Sequence, residues 1–174
     1  MKRRKLTAAY RREQGNRNRA INRLHALLVS RGITTVVKKY LAKAAGRAEM
    51  AQALDGLERE EAEYLMDCLG LYEKRLAALE GQMNEEAAGD EEIERLKTVP
   101  GVGPKVAFTF AAHVAADRFE NAGQVSNYLG LVPKVYMSGD TVRYGRITKR
   151  GNGYVRALLV QAAWAAVRSK NGER

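Results

Sequence analysis

Between Tyr136 and Tyr154 the chain reads YMSGDTVRYGRITKRGNGY. One serine sits in a small polar turn, Ser138-Gly139-Asp140, ahead of Arg143, Arg146, Lys149 and Arg150, with glycines at 145, 151 and 153. A serine hydroxyl attacks phosphorus when its proton is removed and the developing charge is stabilised. Guanidinium groups suit the second task, because they can take two phosphate oxygens at once. A base or metal site for the first task is missing: Asp140 is the only acid within 17 residues on either side of Ser138. On residue types alone, Ser-Gly-Asp reads first as the turn of a basic surface hairpin. A serine set against a phosphodiester is the sharper reading beside it.

A second stretch, LKTVPGVGPKVAFTF over 96–110, places Gly101 and Gly103 on either side of one apolar residue. Such a pair lets the backbone turn tightly, and Pro104 then suits the first position of a helix. The amides at that helix start carry the positive end of the dipole, and Lys105 adds a full charge beside them, which makes a phosphate seat. This resembles the helix-hairpin-helix motif, which holds nucleic-acid backbone without reading sequence; an ordinary helix–helix turn is the alternative. In the third stretch, KRGNGYVRALLVQAAWAAV over 149–167, Asn152 is a good N-cap. Val155, Leu158, Leu159, Ala162 and Ala166 line an apolar face, and Trp164 also reads as packing. Lys149, Arg150 and Arg156 cluster at the positive end of this helix, an awkward place for cations unless a polyanion sits there. His25 and His113 stand alone and read as structural or solvated.

These stretches need elements to hold them, and the expected fold is mainly α: a helical hairpin or coiled-coil arm, then a small helical domain with a short basic β-hairpin. An arginine-rich helical segment occupies 1–48, with one helix over 5–30 ending near Gly32 and a short basic helix over 33–47 broken at Gly46. An acidic coiled-coil helix and linker follow over 49–90. In it Leu65, Leu69, Tyr72, Leu76, Leu79 and Met83 step by 4, 3, 4, 3, 4, a heptad seam that must be covered by the first helix or by a second chain. Its acids, Glu58, Glu60, Glu61, Glu63 and Glu73, read as a solvated outer face. Residues 84–92 read as a linker or helix break. The remaining unit, 91–174, carries a short helix, the glycine turn, a helix from Pro104 to about Ala116, another over 123–130, a hairpin over 134–148 and a long helix from Gly153 to about Ser169.

The net charge of +10 is segregated into blocks. Residues 1–50 hold 14 Lys/Arg against 2 Asp/Glu, residues 51–97 hold 5 against 14, and residues 98–174 hold 11 against 4. Two basic blocks flanking an acidic one point to two polyanion-facing surfaces, with Arg17, Arg19 and Arg23 on the first. The single cysteine, Cys68, excludes an internal disulfide framework and any multi-cysteine zinc site, and its leucine-rich setting predicts a buried thiol. No apolar run approaches the roughly 20 residues that span a bilayer. The charged start MKRRKLTAAYRREQ has no apolar region behind it, so a cytoplasmic protein with no membrane partner is expected.

The order TVPGVGPKVA, then VSNYLGLVPKVYMSGDTVRYGRITKRGN, then YVRALLVQAAWAAV resembles the C-terminal transposase domain of the insertion-sequence 110 family. Upstream, REQGNRNRAINRLHALLVSRGI is similar to the arginine-rich helix that precedes that domain's coiled coil. The resemblance implies a DNA transposase or recombinase whose C-terminal domain supplies a serine nucleophile, here Ser138, that links covalently to DNA. It implies DNA and a structured guide RNA as partners, with Gly101, Gly103, Lys105, Arg143, Arg146, Lys149, Arg150, Arg156, Arg17, Arg19 and Arg23 as their contacts, and a homo-oligomer. It also implies an N-terminal RuvC-like domain whose four acids bind divalent metal, expected to be magnesium. Nothing in this sequence matches that domain, so a fragment of a longer transposase, without a metal site or cofactor of its own, is the expectation. The competing reading is a non-enzymatic helix-hairpin-helix module with a coiled-coil oligomerisation arm, in which Ser138 is only a turn residue.

Overall fold

A computed structural model describes residues 1–34 and 38–171. Among these the fold is mainly α: α1 (Lys2–Ser30), α2 (Lys38–Leu41), α3 (Ala44–Ala51), α4 (Gly56–Ala87), α5 (Glu91–Lys97), α6 (Pro104–His113), α7 (Ala122–Tyr128) and α8 (Gly153–Asn171), with one antiparallel hairpin of β1 (Pro133–Ser138) and β2 (Thr141–Ile147). The chain divides into two compact units, Ala8–Gln82 and Met1–Thr7 with Met83–Arg174. No described helix is long and apolar enough to cross a membrane.

In the unit Ala8–Gln82 the seam of α4 meets α1. Ala20, Ile21, Leu24 and Leu28 form one core with Ala62, Leu65 and Leu69, joined by Leu41, Ala51 and Leu54. The pairing is antiparallel, because ion pairs that climb α1 descend α4: Arg17 meets Glu73, Arg23 meets Glu61, and Arg31 meets Glu58 and Asp55. The seam is thus covered from within the chain. The same pairs correct the expectation of a solvated acidic face, since Glu58, Glu61 and Glu73 neutralise arginines of the basic block. Tyr10, deep in α1, donates its hydroxyl to Glu80 at 2.7 Å.

The ends of these helices follow local rules. After α1 the chain turns through Gly32 at φ 79°, with the Ile33 amide donating to the Leu28 carbonyl and the Gly32 amide to that of Val29. This is the six-to-one and five-to-two bonding of a Schellman cap. The single helix expected over 33–47 is instead two short ones, α2 and α3, and residues 35–37 of that span lie outside the described residues. Gly46 does not break α3. It lies buried inside it, where a Cβ would come within 2.5 Å of the Tyr40 carbonyl oxygen, so the glycine serves close approach. The acidic helix starts at Gly56, later than the sequence pattern suggests, because residues 44–51 form α3 and residues 52–55 a turn. Cys68 is half-buried, not fully buried.

Arg47 of α3 is the buried charge of this unit. Its guanidinium grips Glu73 with two parallel bonds of 3.0 Å and also reaches the carbonyls of Leu41 and Ala42. Glu73 accepts from Arg17 as well. Burial acts to raise the Glu73 carboxyl, but the two arginines outweigh it and hold the group below its ordinary range.

The other unit is stapled at its start. Lys2 and Arg3 pair with Glu86 and Asp90, and Arg3 also lies over the ring of buried Phe108. The helix break expected over 84–92 falls at Gly89, φ 74°, after which Asp90 caps α5 by accepting from the Ile93 amide. Val114, Leu129 and Val155 centre the core, with Phe110, Phe119, Val125, Leu131 and Leu159 packed on it. These residues come from α6, α7, α8 and their flanking loops, so that core fixes the base from which the hairpin projects.

Candidate nucleic-acid interface

The hairpin begins and ends on a clamp of backbone. α7 closes with a second Schellman cap, in which Gly130 (φ 68°) donates to Asn127 and Leu131 to Ser126. The loop leaving β2 lies against this cap, with the Thr148 amide bonded to Val132 and the Lys149 amide to Gly130. Contact is so close that a Cβ on Gly130 would sit 2.0 Å from the Arg150 carbonyl oxygen, and one on Gly151 (φ 86°) 2.1 Å from that of Tyr128. Only glycine meets both demands at once. Lys149 takes a left-handed conformation, φ 57°, between them. The clamp holds Lys149 and Arg150 out into solvent in a defined place.

Arg156 completes it. From the first turns of α8 its guanidinium reaches back to the carbonyls of Leu129 (2.8 Å) and Arg150 (3.3 Å). The clash of cations with the helix dipole, noted from the sequence, is answered for Arg156 by these carbonyls. For Lys149 and Arg150 it is not. Asn152 caps α8 through Oδ1, which accepts from the amides of Tyr154 and Val155. That leaves its amide end facing Nδ1 of His113 at 3.1 Å, and an N–H there must donate. His113 is therefore neutral with its proton on Nε2, which donates to Thr7 Oγ1 at 3.1 Å, and Thr7 in turn donates to the Arg4 carbonyl. Burial, with a smaller push from the Arg4 charge, keeps the imidazole below its ordinary pKa. These bonds tie the start of α8 to the end of α6, and nothing in the residue order signals them beyond an isolated histidine.

Above the clamp the hairpin stands exposed on both faces along almost its whole length. Gly139 is the first residue of a two-residue turn and has φ 56°, whereas Asp140 is not in the left-handed region. That is the glycine pattern of a type II′ hairpin turn. The register pairs Ser138 with Thr141, Tyr136 with Arg143, Met137 with Val142 and Val135 with Tyr144. Directly paired residues share a face and the faces alternate. Ser138, Thr141, Tyr136 and Arg143 therefore lie on one side, and Met137, Val142, Val135 and Tyr144 on the other. Ladder geometry puts Ser138 and Arg143 about 7–8 Å apart at their diagonal positions, within reach of one phosphate. A bulge next to Pro133 sets Gly145 and Arg146 together opposite Lys134.

The glycine turn of 98–103 joins α5 to α6 as expected. Gly103 is the N-cap of α6, exposed and with open space beside it, and Pro104 takes the first position. Lys105 is half-buried. Gly101, at φ 83°, faces α8, where a Cβ would meet the Ala162 carbonyl oxygen at 2.1 Å. One glycine of the pair thus serves packing and the other stays open.

Some sequence-predicted contacts lie elsewhere. Arg17, Arg19 and Arg23 belong to the unit Ala8–Gln82. There Arg17 bonds Glu73 and the Ala42 carbonyl, Arg19 bonds Asn16, and Arg23 bonds Glu61. Trp164 is a correction: it is 60% exposed, in a stripe with exposed Val160 and Val167. At 100° per residue that stripe falls opposite the buried Val155, Leu158 and Ala162. Among the described residues no group of three or more His, Cys, Asp or Glu could hold a metal ion.

Residues 93–174 match the model of the transposase IS116/IS110/IS902 family. The chain is 42% identical over 105 residues to a Pseudomonas aeruginosa protein named "Probable family 20 transposase", covering 60% of this chain and 31% of that protein. It is 34% identical over 113 residues to the transposase for insertion sequence element IS1111A of Coxiella burnetii, covering 64% of this chain and 28% of the relative. With the transposase for insertion sequence element IS1328 of Yersinia enterocolitica it shares 32% identity over 160 residues, covering 84% of this chain and 44% of the relative. The chain spans less than half the length of these curated relatives. The match takes in the glycine turn, the hairpin and the clamp alike, and through residues 93–174 the chain belongs to the transposase IS116/IS110/IS902 family.

Proposed function

We propose that this chain supplies the serine nucleophile and part of the nucleic-acid grip of a DNA strand-transfer enzyme. The observation that carries the reading is the placement of Ser138 at the exposed tip of the hairpin, on the face of Arg143, above a clamp that presents Lys149 and Arg150. In the reaction the Ser138 Oγ–P bond forms as the bond from phosphorus to the leaving sugar oxygen breaks. The serine proton passes to a base, and the leaving oxygen takes one up. The product is a serine phosphodiester, which a sugar hydroxyl can attack to restore a strand without an external energy source. Arg143 and its neighbours neutralise the phosphate oxygens while charge builds on them.

The described residues do not fit a metal seat, and the family resemblance assigns the magnesium to the acids of a RuvC-like domain. A structured guide RNA and a homo-oligomer come from the same resemblance and belong to this proposal. Gly103, Lys105, Arg146, Lys149 and Arg150 are the further backbone contacts. Arg17, Arg19, Arg23 and Arg156, which also bond groups of the protein, belong to the same proposed contacts. On this reading the chain alone binds nucleic acid without forming a covalent adduct. Joined to an acidic metal-binding domain and its RNA, it forms a Ser138-linked DNA species. Ser138→Ala abolishes that species and leaves affinity within a few-fold. A covalent adduct in the Ser138→Ala protein, seen by denaturing gel and peptide mass, would sink the assignment and favour the non-enzymatic helix-hairpin-helix module.

A further inference from the structure

Tyr136 stands two residues before Ser138 on β1, about 7 Å away along the strand and on the same face. The residue is 58% exposed. Across the ladder it lies over Gly145, where an added Cβ would come within 2.9 Å of the ring's Cε2. Gly145 is not in the left-handed region, so its backbone would accept any residue. The place taken by the ring accounts for the glycine.

An exposed ring on a soluble surface is ordinary when it stands alone. This one does not. Arg143 is its direct cross-strand partner, Lys134 precedes it on the same face, and the only acid close to it in the sequence is Asp140 in the turn. Among the described residues Tyr136 makes neither a ring–ring nor a cation–π contact. An exposed aromatic ring with no other ring or cation stacked on it, set among cations, is how proteins hold strands whose bases are unstacked. In a duplex the faces of the bases are already occupied by their neighbours, and a base must leave the stack before a side chain can take its face.

We propose that Tyr136 stacks on an unpaired base beside the phosphate presented to Ser138, so that the site takes a strand with at least one base out of the duplex. The inference rests on the nucleic-acid reading above and names its substrate class. The 7 Å spacing is the scale of a single nucleotide, so ring and hydroxyl address the base and the phosphate of one stretch of strand.

The test uses this chain with two probes: a short mixed-sequence single-stranded DNA, and the same strand with abasic sites through its centre. Tyr136→Ala weakens binding to the base-bearing strand by about 5- to 150-fold, the range for losing one aromatic–base stack. It leaves the abasic strand unaffected. Tyr136→Phe stays within about twofold on both, because stacking does not use the hydroxyl. Gly145→Ala, which displaces the ring without straining the backbone, reproduces part of the Tyr136→Ala loss on the base-bearing strand only. An equal loss on both strands, or no loss on either, overturns the stacking role. The paired variant Arg143→Ala separates the two readings: if it weakens both strands while Tyr136→Ala weakens neither, the nucleic-acid reading stands and the stacking role falls. Failure of the unmodified chain to bind either strand overturns both.

Discussion

Removing Glu73 strands the charge of Arg47, and the size of the effect follows from where each partner lies. The Arg47 side chain is 5% exposed and that of Glu73 36%. Breaking a buried ion pair from one side typically costs 3–5 kcal/mol, because the remaining charge is left uncompensated. The carbonyls of Leu41 and Ala42 at 3.4 and 3.3 Å stay near Arg47 but carry no countercharge. Since Glu73 is partly solvated, Glu73→Leu falls at the low end, about 3 kcal/mol. Arg47→Met is milder, about 1 kcal/mol, because the partly exposed carboxylate keeps water and Arg17. The double variant Arg47→Met, Glu73→Leu replaces the pair by apolar groups of similar bulk and returns to within about 1 kcal/mol of the unmodified chain. Urea unfolding followed by far-ultraviolet circular dichroism reads this directly. With slopes of about 1–3 kcal/mol per molar, 3 kcal/mol moves the midpoint of the helical transition by about 1–3 M. A double variant less stable than Glu73→Leu alone would refute the account of a stranded charge.

Three more outcomes follow from the site. Because His113 is held neutral below its ordinary pKa of 6.5, the folded state binds fewer protons there than the unfolded one; stability is full above pH 6.5, falls as pH drops below it, and levels off below the folded pKa. His113→Gln should remove most of that fall in an acid titration of the midpoint. Gly151→Ala sets a methyl 2.1 Å from the Tyr128 carbonyl at a left-handed φ; the conformation alone costs about 1–2 kcal/mol, and thermal unfolding should show that loss or more as the clamp opens. Arg143→Ala should flatten the salt dependence of duplex DNA binding by about one unit of log K against log salt, alike for all sequences; an unchanged slope would remove Arg143 from the backbone contacts.

Most of the elements, and the chemistry their residues can do, were legible in the order of residues alone. Heptad spacing from Leu65 to Met83 announced the long helix, Gly32 its partner's end, Asn152 the cap of α8, and Gly139 with Asp140 the hairpin turn. Each of these signals acts within one or two turns of chain, so it can be read without a partner. The order of glycines, Ser138 and cations from 96 to 167 was enough to reveal the family. The pairings between distant segments came only with the folded chain. That Arg17 and Arg23 also meet Glu73 and Glu61 of α4, 56 and 38 residues away, could not be read from their own neighbourhood. Arg156 looked like a third free cation until the carbonyls of the α7 cap came within reach. Trp164 looked like core, because composition does not say which side of a helix has a neighbour. Gly145 carried no signal at all until strand register laid the Tyr136 ring over it. A charge or a glycine states what a residue can do, and only the segment brought against it by the fold fixes what it does.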